Sequence, residues 1–358
     1  MRAGAENDLV TDDRPGYGLR LIPGLNGLHD GPNLLRRRPN LRPAPCPPEW
    51  RPYLGEYGWD HNILYVLERE GKLTALVEWR HYYPLEQAGP GVFRFPDWGL
   101  YDGETLTFTW QGAVAGGVLF PKRPSPGGDG YFRLTPVKPV EALREAALSA
   151  TPPPEKGPFR PSELIELRTL DRTIRLDIRY ANSTNFLGVP LYTQARAFLQ
   201  RPAAEALLRA HRELSKQGFG LLIHDAYRPW YVTRMFWDAT PEDKHLFVAD
   251  PSKGSRHNRG CAVDLTLYAL KTGKPAEMTG GYDEMSERSY PDYPGGTSLA
   301  RWNRELLRRA MEAEGFRVHD AEWWHFDYKD SEKYGIQNIR FESLSKGNIT
   351  YGGNTADR

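Results

Sequence analysis

The sequence predicts an α+β protein in which a small all-β module precedes a C-terminal domain with a central antiparallel sheet flanked by helices. Between residues 53 and 136, short segments rich in aromatic and β-branched residues are separated by Gly, Pro and Asp turns, as in antiparallel β structure. Beyond residue 161, segments with strand and helix periodicity alternate. The 358 residues are enough for two domains with at least one well-buried core.

The charges of the chain are almost balanced, with 47 Lys and Arg residues against 46 Asp and Glu residues and a formal net charge of +1. Such a chain has no global field that would hold it on nucleic acid or on an anionic membrane, so we expect neither as a partner. The longest nearly uncharged apolar stretch, Gly112–Phe120, is too short to span a bilayer. Because the first residues carry acids and no apolar core of a signal peptide, we expect a cytoplasmic protein.

The N-terminal half is predicted to contain two regions. Residues 1–50 hold Gly, Pro and Arg in runs without a lasting period, so we expect them to be mostly irregular. Residues 51–150 are expected to form the antiparallel β module, with turns at Glu70-Gly71 and Asp102-Gly103 and a closing helix over Val140–Ala150. The β segment LGEYGWDHNILYVLEREGKLTALVEWRHYYPL resembles the β modules that accompany β-lactamase-like serine hydrolases, a resemblance that supplies no mechanism.

A proline-rich segment, TPPPEKGPFRP at residues 151–161, is expected to be the interdomain linker, because consecutive prolines end a helix and favour an extended spacer. Residues 162–345 are expected to form the second domain, and residues 346–358 a frayed tail. The elements predicted for this domain are a hairpin of Glu163–Arg168 with Thr173–Arg179, a helix over Pro202–Gln217, strands at Gly220–Ile223 and Cys261–Tyr268, a long covering loop over Lys271–Thr297, a helix over Ser298–Glu314, and a last strand over Glu322–Tyr328.

The chemistry-bearing residues are concentrated in this second domain. The two cysteines, Cys46 and Cys261, lie far apart and form no C-x-x-C motif, so any metal must be held by His, Asp or Glu. His257 and Asp264 differ by seven positions, and His325 lies on a later strand. Two imidazoles and a carboxylate are the ligands that a catalytic Zn²⁺ needs if a fourth position is to stay open for water.

Asp264 is the only charged residue in the strand CAVDLTLY, where the period of two places it opposite the aliphatic row. Burying a carboxylate there is costly unless a cationic group receives it. An alternative stays open from the residues alone: an Asp in a strand also serves as a hydrogen-bond acceptor, and a His between aromatic residues also serves as a satisfied core residue.

Four segments, SRHNRGCAVDLTL, HDAYRP, GYDEMSERS and EWWHFDY, resemble in motif and spacing the D-alanyl-D-alanine dipeptidases, the VanX-type zinc peptidases. The resemblance covers roughly Ser162–Leu344. It implies an α+β fold, one Zn²⁺ per active site, and hydrolysis of the D-Ala-D-Ala dipeptide in peptidoglycan metabolism.

The resemblance also implies residue roles. It makes His257, Asp264 and His325 the zinc ligands and Glu322 the general base. Strict alternation along a strand would place Glu322 and His325 on opposite faces, so Glu322 should lie on the loop or bulge just before the regular strand. At Cys261 the family has a small residue, and a buried thiol is expected to behave as a small hydrophobe.

Three further positions match residues of the family that contact or orient the substrate. Arg228 matches the arginine that stabilises the oxyanion, with Asp225 as a residue that orients it, although an Asp225–Arg228 surface pair is the plainer alternative. Asp283 matches the residue that recognises the free α-amino group, and Glu284 beside it is the alternative partner. Ser255 matches a substrate-contacting serine and is equally suited to a turn.

The sequence leaves three alternative functions. A serine hydrolase is suggested by S-x-x-K at Ser343–Lys346, but the sequence has no S-D-N or K-T-G partner motif. A zinc D,D-carboxypeptidase acting on peptidoglycan stem peptides would need an open groove, whereas the long loop over Lys271–Thr297 favours a closed pocket. A non-catalytic zinc-containing module that binds cell wall would require neither Glu322 nor Arg228.

Overall fold

The computed structural model describes residues 41–59, 62–77, 81–123 and 132–344, together with strand residues 2–3, 9–10, 20–24, 27–30, 33–35 and 349–351. It forms two compact units, one of residues 1–125 with 292–302 and one of residues 126–291 with 303–358. The first unit is built mainly from strands and the second from helices and strands, which confirms the predicted α+β class with an all-β N-terminal region.

The N-terminal segment contains short strands that the sequence did not predict. The strands pair in chain order as a five-stranded sheet, and they are β1 (Arg2–Ala3), β2 (Leu9–Val10), β3 (Arg20–Gly24), β4 (Gly27–Asp30) and β5 (Asn33–Leu35). The expectation that residues 1–50 are mostly irregular is therefore wrong for these strands. Strands of two to five residues are too short to show a hydrophobic period.

The β module is antiparallel, as predicted, and it consists of two sheets. One sheet has four strands, β6 (Gly55–Trp59), β7 (Asn62–Arg69), β8 (Lys72–Val77) and β9 (His81–Pro84). The other has five strands, β10 (Glu86–Gly89), β11 (Val92–Arg94), β12 (Thr105–Phe108), β13 (Gly112–Ala115) and β14 (Val118–Pro121). Their common core includes Val66, Phe93 and Leu106.

The two predicted turns of the module differ in form. Glu70 and Gly71 join β7 to β8 directly, and both have positive φ, which is the geometry of a tight type I′ hairpin. Asp102-Gly103 instead lies within the longer connection 95–104 between β11 and β12.

Helix α1 (Val140–Ser149) forms where the sequence predicts it but belongs to the second unit. It buries Leu143 and Ala147 and packs against α4 (Trp230–Ala239). The chain just before it is also attached, since the Val137 N–H donates to the Ala239 carbonyl at 3.0 Å. The two compact units thus divide between residues 125 and 126, before the proline-rich segment 151–161 that the sequence suggests as the linker.

The predicted hairpin of Glu163–Arg168 with Thr173–Arg179 is wrong. Strand β15 (Ser162–Glu166) pairs with β17 (Phe198–Gln200) and β22 (Ile349–Tyr351), whereas β16 (Arg175–Leu176) belongs to a different sheet. A short helix, α2 (Leu167–Leu170), turns the chain between them. Because β22 pairs with β15, the tail 346–358 is also not wholly frayed.

The central sheet of the second unit has the order β16-β18-β19-β21-β20, with β18 (Phe219–Asp225), β19 (Ala262–Ala269), β20 (Phe316–His319) and β21 (Glu322–Tyr328). All neighbours are antiparallel except β16 and β18, which are parallel. Helix α3 (Arg201–Ser215) packs on β18, and α5 (Ser298–Ala313) precedes β20. The predicted antiparallel core is confirmed apart from that parallel edge strand.

Short 3-10 helices complete the secondary structure at Pro48–Tyr53, Arg179–Ala181, Glu242–Phe247, His257–Arg259, Glu287–Ser289, Ser331–Lys333 and Phe341–Ser343. The loop predicted over 271–297 contains only the one at Glu287–Ser289. In the part of the chain that the structure describes, no helix is both long and apolar enough to cross a membrane.

Candidate active site

Three neighbouring elements bring His257, Asp264 and His325 together. His257 opens a 3-10 helix that ends at Gly260, whose φ of 68° lets the chain reverse into β19. Asp264 lies on β19 directly opposite His325 on β21 in the antiparallel register. The three residues that the sequence pattern singled out therefore meet at one point.

The potential ligand atoms of these residues form a nearly equilateral triangle. His257 Nε2 lies 3.2 Å from His325 Nδ1 and 3.3 Å from Asp264 Oδ1, and the last two atoms are 3.0 Å apart. Tetrahedral Zn²⁺ with bonds of about 2.0–2.1 Å separates its ligand atoms by about 3.3–3.4 Å. The triangle therefore has the size that such an ion requires.

Asp264 supplies a second reason to place a cation here. Its Oδ1 is buried and accepts no hydrogen bond, although two imidazole nitrogens lie close to it. Its Oδ2 accepts a hydrogen bond from the Tyr282 hydroxyl at 3.0 Å. A buried carboxylate oxygen without a donor is costly, and a shared cation would satisfy it, so the donor set fits a metal ion.

Outer contacts leave the correct ring nitrogens free for a metal. His257 Nδ1 lies 2.6 Å from the Ala226 carbonyl oxygen, and His325 Nε2 lies 2.9 Å from Asp327 Oδ1. When these nitrogens carry the protons, the lone pairs of His257 Nε2 and His325 Nδ1 point inward. Sequence reasoning missed Asp327, although its position two residues after His325 places it on the same strand face.

Glu322 lies beside the triad, with its Oε2 3.6 Å from His325 Nδ1. It is the first residue of β21, and the register between β20 and β21 jumps from Val318–Phe326 to His319–Glu322. This bulge allows Glu322 and His325 to converge, as the sequence analysis required. Burial raises the pKa of the Glu322 carboxyl to about 7, with the His325 imidazole opposing the shift and the Asp264 charge adding to it.

Arg228 is a buried cation held in a fixed position. Its Nε donates to Asp225 Oδ2 at 2.9 Å, and its guanidinium lies 4.7 Å from the centre of the Phe236 ring. Asp225 also accepts a hydrogen bond from the Tyr192 hydroxyl at 2.9 Å. The Asp225–Arg228 pair expected from the sequence is thus present, but it is buried rather than a surface pair.

Asp283 and Glu284 differ in what their carboxylates contact. Asp283 Oδ1 accepts from the Tyr180 hydroxyl at 2.9 Å, while its Oδ2 is buried without a partner. Burial raises the pKa of Asp283 well above its usual range, and the Asp264 charge adds to the shift. Glu284 instead binds its own loop, accepting from Gly281 N and Ser286 Oγ at 2.7 Å each. Only Asp283 of this pair offers an unused oxygen.

Ser255 acts locally as a turn residue. Its hydroxyl accepts a hydrogen bond from His257 N at 3.2 Å, and its own N–H donates to Asn258 Oδ1 at 2.8 Å. These bonds shape the turn that carries His257, and Ser255 also lines the cavity above the triad. The two alternatives weighed for this residue are therefore compatible.

One cavity is lined by every predicted site residue except Asp225, which lies behind Arg228. Its other walls come from Leu246–Ala249, from the aromatic residues Phe236 and Trp324, and from Asp283–Met285 of the long loop. The cavity thus combines a cation site, a carboxylate with a near-neutral pKa and a fixed positive charge. This set suits the addition of water to a polarised carbonyl group.

Two other predictions concern residues outside the triad. Cys261 is completely buried, and burial raises the pKa of its thiol to about 12, which agrees with its expected behaviour as a small hydrophobe. Of the S-x-x-K tetrad, Ser345 and Lys346 lie outside the described residues.

Comparisons with known proteins identify relatives of the C-terminal half of the chain. Residues 160–343 match the Peptidase M15 family model, which is described as D-ala-D-ala dipeptidase. The D-alanyl-D-alanine dipeptidase of Escherichia coli K12 is 36% identical over 180 residues, which cover 50% of this chain and 92% of that protein. The enzyme of the same name from Enterococcus faecium is 38% identical over 175 residues, 44% of this chain and 87% of that protein. The one from Streptomyces coelicolor is 37% identical over 175 residues, with the same coverage.

Proposed function

The chain belongs to the D-ala-D-ala dipeptidase family, Peptidase M15, and from this membership we propose that it hydrolyses the D-alanyl-D-alanine dipeptide in peptidoglycan precursor metabolism. We further propose that one Zn²⁺ is held by His257, Asp264 and His325. The observation that carries the proposal is the buried triangle of their ligand atoms, one of which is a carboxylate oxygen without a hydrogen bond, with Glu322 at its side.

Glu322 is proposed as the general base. A Zn²⁺ bound at the triad would supply a water of lowered pKa and polarise the scissile carbonyl group. Glu322 would accept a proton from the attacking water at a carboxylate oxygen and pass it to the leaving amine. Its pKa of about 7 suits both directions of transfer near neutral pH, and the 3.6 Å between its Oε2 and His325 Nδ1 supports a role beside the proposed metal.

Arg228 is proposed to stabilise the negative charge that develops on the former carbonyl oxygen. Its guanidinium is permanently charged and buried, so its interaction with the oxyanion would be stronger than in water. Asp225, itself held by Tyr192, keeps the guanidinium in place before the substrate arrives. The cation is therefore organised in advance of the reaction.

Asp283 is proposed to bind the free α-amino group of the dipeptide. Its unpartnered, buried Oδ2 would gain an ion pair with an ammonium group, while the Tyr180 hydroxyl fixes the other oxygen. Acylation of the amine removes the charge that Asp283 would pair with. This contact would select a dipeptide over the end of a longer peptide.

The test is release of free D-alanine by the zinc-loaded protein from D-Ala-D-Ala and from N-acetyl-D-Ala-D-Ala. We expect release from the free dipeptide only, and we expect Asp283→Asn to lower kcat/KM for that substrate by about 10- to 100-fold. Cleavage of the acetylated substrate at a similar rate would show that the protein is a carboxypeptidase and not a dipeptidase. Cleavage of neither substrate would favour a binding module.

A further inference from the structure

A D-Ala-D-Ala dipeptide is a zwitterion, so its binding site needs a positive partner as well as the negative one at Asp283. Among the Lys and Arg side chains that the structure describes, only Arg228 and Arg256 line the cavity. Arg228 already pairs with Asp225 at 2.9 Å and lies 3.5 Å from Asp264 Oδ2. With Arg228 paired to Asp225 and proposed to face the oxyanion, the terminal carboxylate of the dipeptide still lacks a positive partner.

Arg256 is the cation that the proposed reaction leaves unused. It lies between Ser255 and His257 in the chain, and its side chain is 55% exposed at the cavity wall. Its Nε lies 3.3 Å from Asp327 Oδ2, its ion-pair partner. Within the described part of the chain, no acceptor receives a hydrogen bond from the Arg256 guanidinium. Its N–H groups are therefore available to a ligand.

The contacts of Arg256 keep it beside the reacting centre. Asp327 uses one carboxylate oxygen to hold His325 and the other to hold Arg256. Asp283, by contrast, is held by Tyr180, whose ring lies 5.3 Å from the Arg228 guanidinium. The negative and positive groups therefore belong to different parts of the cavity wall, one next to Arg228 and one next to His325.

We propose that Arg256 binds the C-terminal carboxylate of the dipeptide and thereby helps to restrict the substrate to a free acid. The carboxylate lies only a few bonds from the scissile carbonyl carbon, which matches a cation adjacent to a metal ligand. A planar guanidinium can bind a carboxylate through two parallel hydrogen bonds. This inference rests on the proposed function, because it assigns the second end of the same substrate.

The test compares D-Ala-D-Ala with its C-terminal amide, D-alanyl-D-alaninamide, in the zinc-loaded wild type, Arg256→Ala and Arg317→Ala. Arg317 is 78% exposed, pairs with an exposed Asp320 and does not line the cavity, so it is a charge-matched control. We expect Arg256→Ala to lower kcat/KM for the free acid by about 10- to 100-fold, mainly through KM. For the amide we expect less than about a threefold change in kcat/KM, or in its Ki as a competitor.

Three results would overturn the inference in distinguishable ways. Equal losses for acid and amide, together with weaker Zn²⁺ binding in a chelator competition, would show that Arg256 acts through Asp327 and His325 instead. If Arg256→Ala kept the wild-type preference for the acid over the amide, Arg256 would not bind the carboxylate. The proposed dipeptidase activity would be unaffected by that result. Hydrolysis of neither substrate by the wild type would overturn the proposed function together with the inference.

Discussion

At the scale of single residues, the site depends on pairs in which an outer residue fixes an inner one. The Ala226 carbonyl fixes the His257 ring, Asp327 fixes the His325 ring, and Tyr282 fixes the second oxygen of Asp264. Each outer contact removes a choice of tautomer or rotamer before a metal arrives. The metal affinity should therefore depend on residues that do not touch the metal.

Replacing Asp327 by Ala is expected to weaken Zn²⁺ binding by about 10- to 100-fold, because the His325 ring loses the acceptor that fixes its tautomer. Competition with a chromogenic chelator measures this affinity directly. Asp320→Ala is the matched control, since Asp320 is 88% exposed on the neighbouring turn. Equal affinity in both variants would show that Asp327 does not orient the ring.

Replacing Glu322 by Gln is expected to lower kcat by about 10²- to 10⁴-fold, because the amide keeps the shape of the side chain but cannot accept a proton. Zn²⁺ affinity should stay within about threefold of the wild type, since Glu322 is not one of the three ligands. Kinetics and chelator competition on the same preparations separate the two effects. A variant with wild-type kcat would exclude Glu322 as the base.

Several of these site residues could be predicted from the sequence, and others could not. The spacing of His257 and Asp264, and the position of Asp264 in an otherwise apolar strand, pointed to the triad. Asp327 was detectable by strand period alone. Tyr282 was not, because it reaches Asp264 from an irregular loop whose path no local pattern specifies.

At the scale of elements, a sharp turn and a bulge position the site. Gly260 adopts φ of 68° at the end of the His257 turn, and a Cβ there would lie 2.6 Å from Leu164 Cδ2. The bulge between β20 and β21 aligns Glu322 with His325. Strand alternation alone predicted an irregularity at Glu322. The type of irregularity, a bulge, depends on how β20 pairs with β21.

Gly260→Ala is expected to lower the free energy of unfolding by about 1–3 kcal/mol, through the left-handed backbone and the contact with Leu164. Gly218→Ala is the matched control, because Gly218 has φ of 83° with no atom within 4 Å of the added Cβ. Urea unfolding measures the free energy of unfolding of both variants. Gly260→Ala should lose more free energy of unfolding than Gly218→Ala and should also bind Zn²⁺ more weakly. Equal losses in the two variants would contradict this expectation.

The wrongly predicted hairpin of β15 with β16 shows that a local pattern does not identify the partner of a strand. Glu163–Arg168 and Thr173–Arg179 both alternate like strands, yet β15 and β16 join different sheets. Alternation indicates that a segment has one buried face, but it does not identify the partner strand. That choice depends on contacts with β17 and β18, which lie far along the chain.

At the scale of the whole molecule, the proline-rich segment 151–161 is part of the second unit rather than a free spacer. Glu155 Oε2 accepts from Ile336 N at 2.6 Å, and Arg160 N donates to the Lys333 carbonyl at 2.8 Å. Composition correctly indicated an extended chain that ends the helix. It did not reveal that this extended chain is fixed by hydrogen bonds to residues more than a hundred positions away.

Removal of Zn²⁺ is expected to lower the melting temperature of the whole protein, because an ion that binds only the folded state stabilises it. At a free concentration 100-fold above its Kd, the ion would contribute about 2.7 kcal/mol. Calorimetry with and without a chelator measures the shift. His257→Ala should melt at the same temperature in both conditions, and a chelator effect of wild-type size in that variant would place the ion elsewhere.

Zinc-dependent hydrolysis at the His257–Asp264–His325 site is tested by a titration of metal-free protein with Zn²⁺, in which D-alanine release from D-Ala-D-Ala and bound zinc are measured together. Activity is expected to rise in proportion to bound metal and to saturate at one Zn²⁺ per chain. His325→Ala is expected to stay inactive over the same range. Full activity in the metal-free protein, or in that variant, would contradict zinc-dependent hydrolysis at this site.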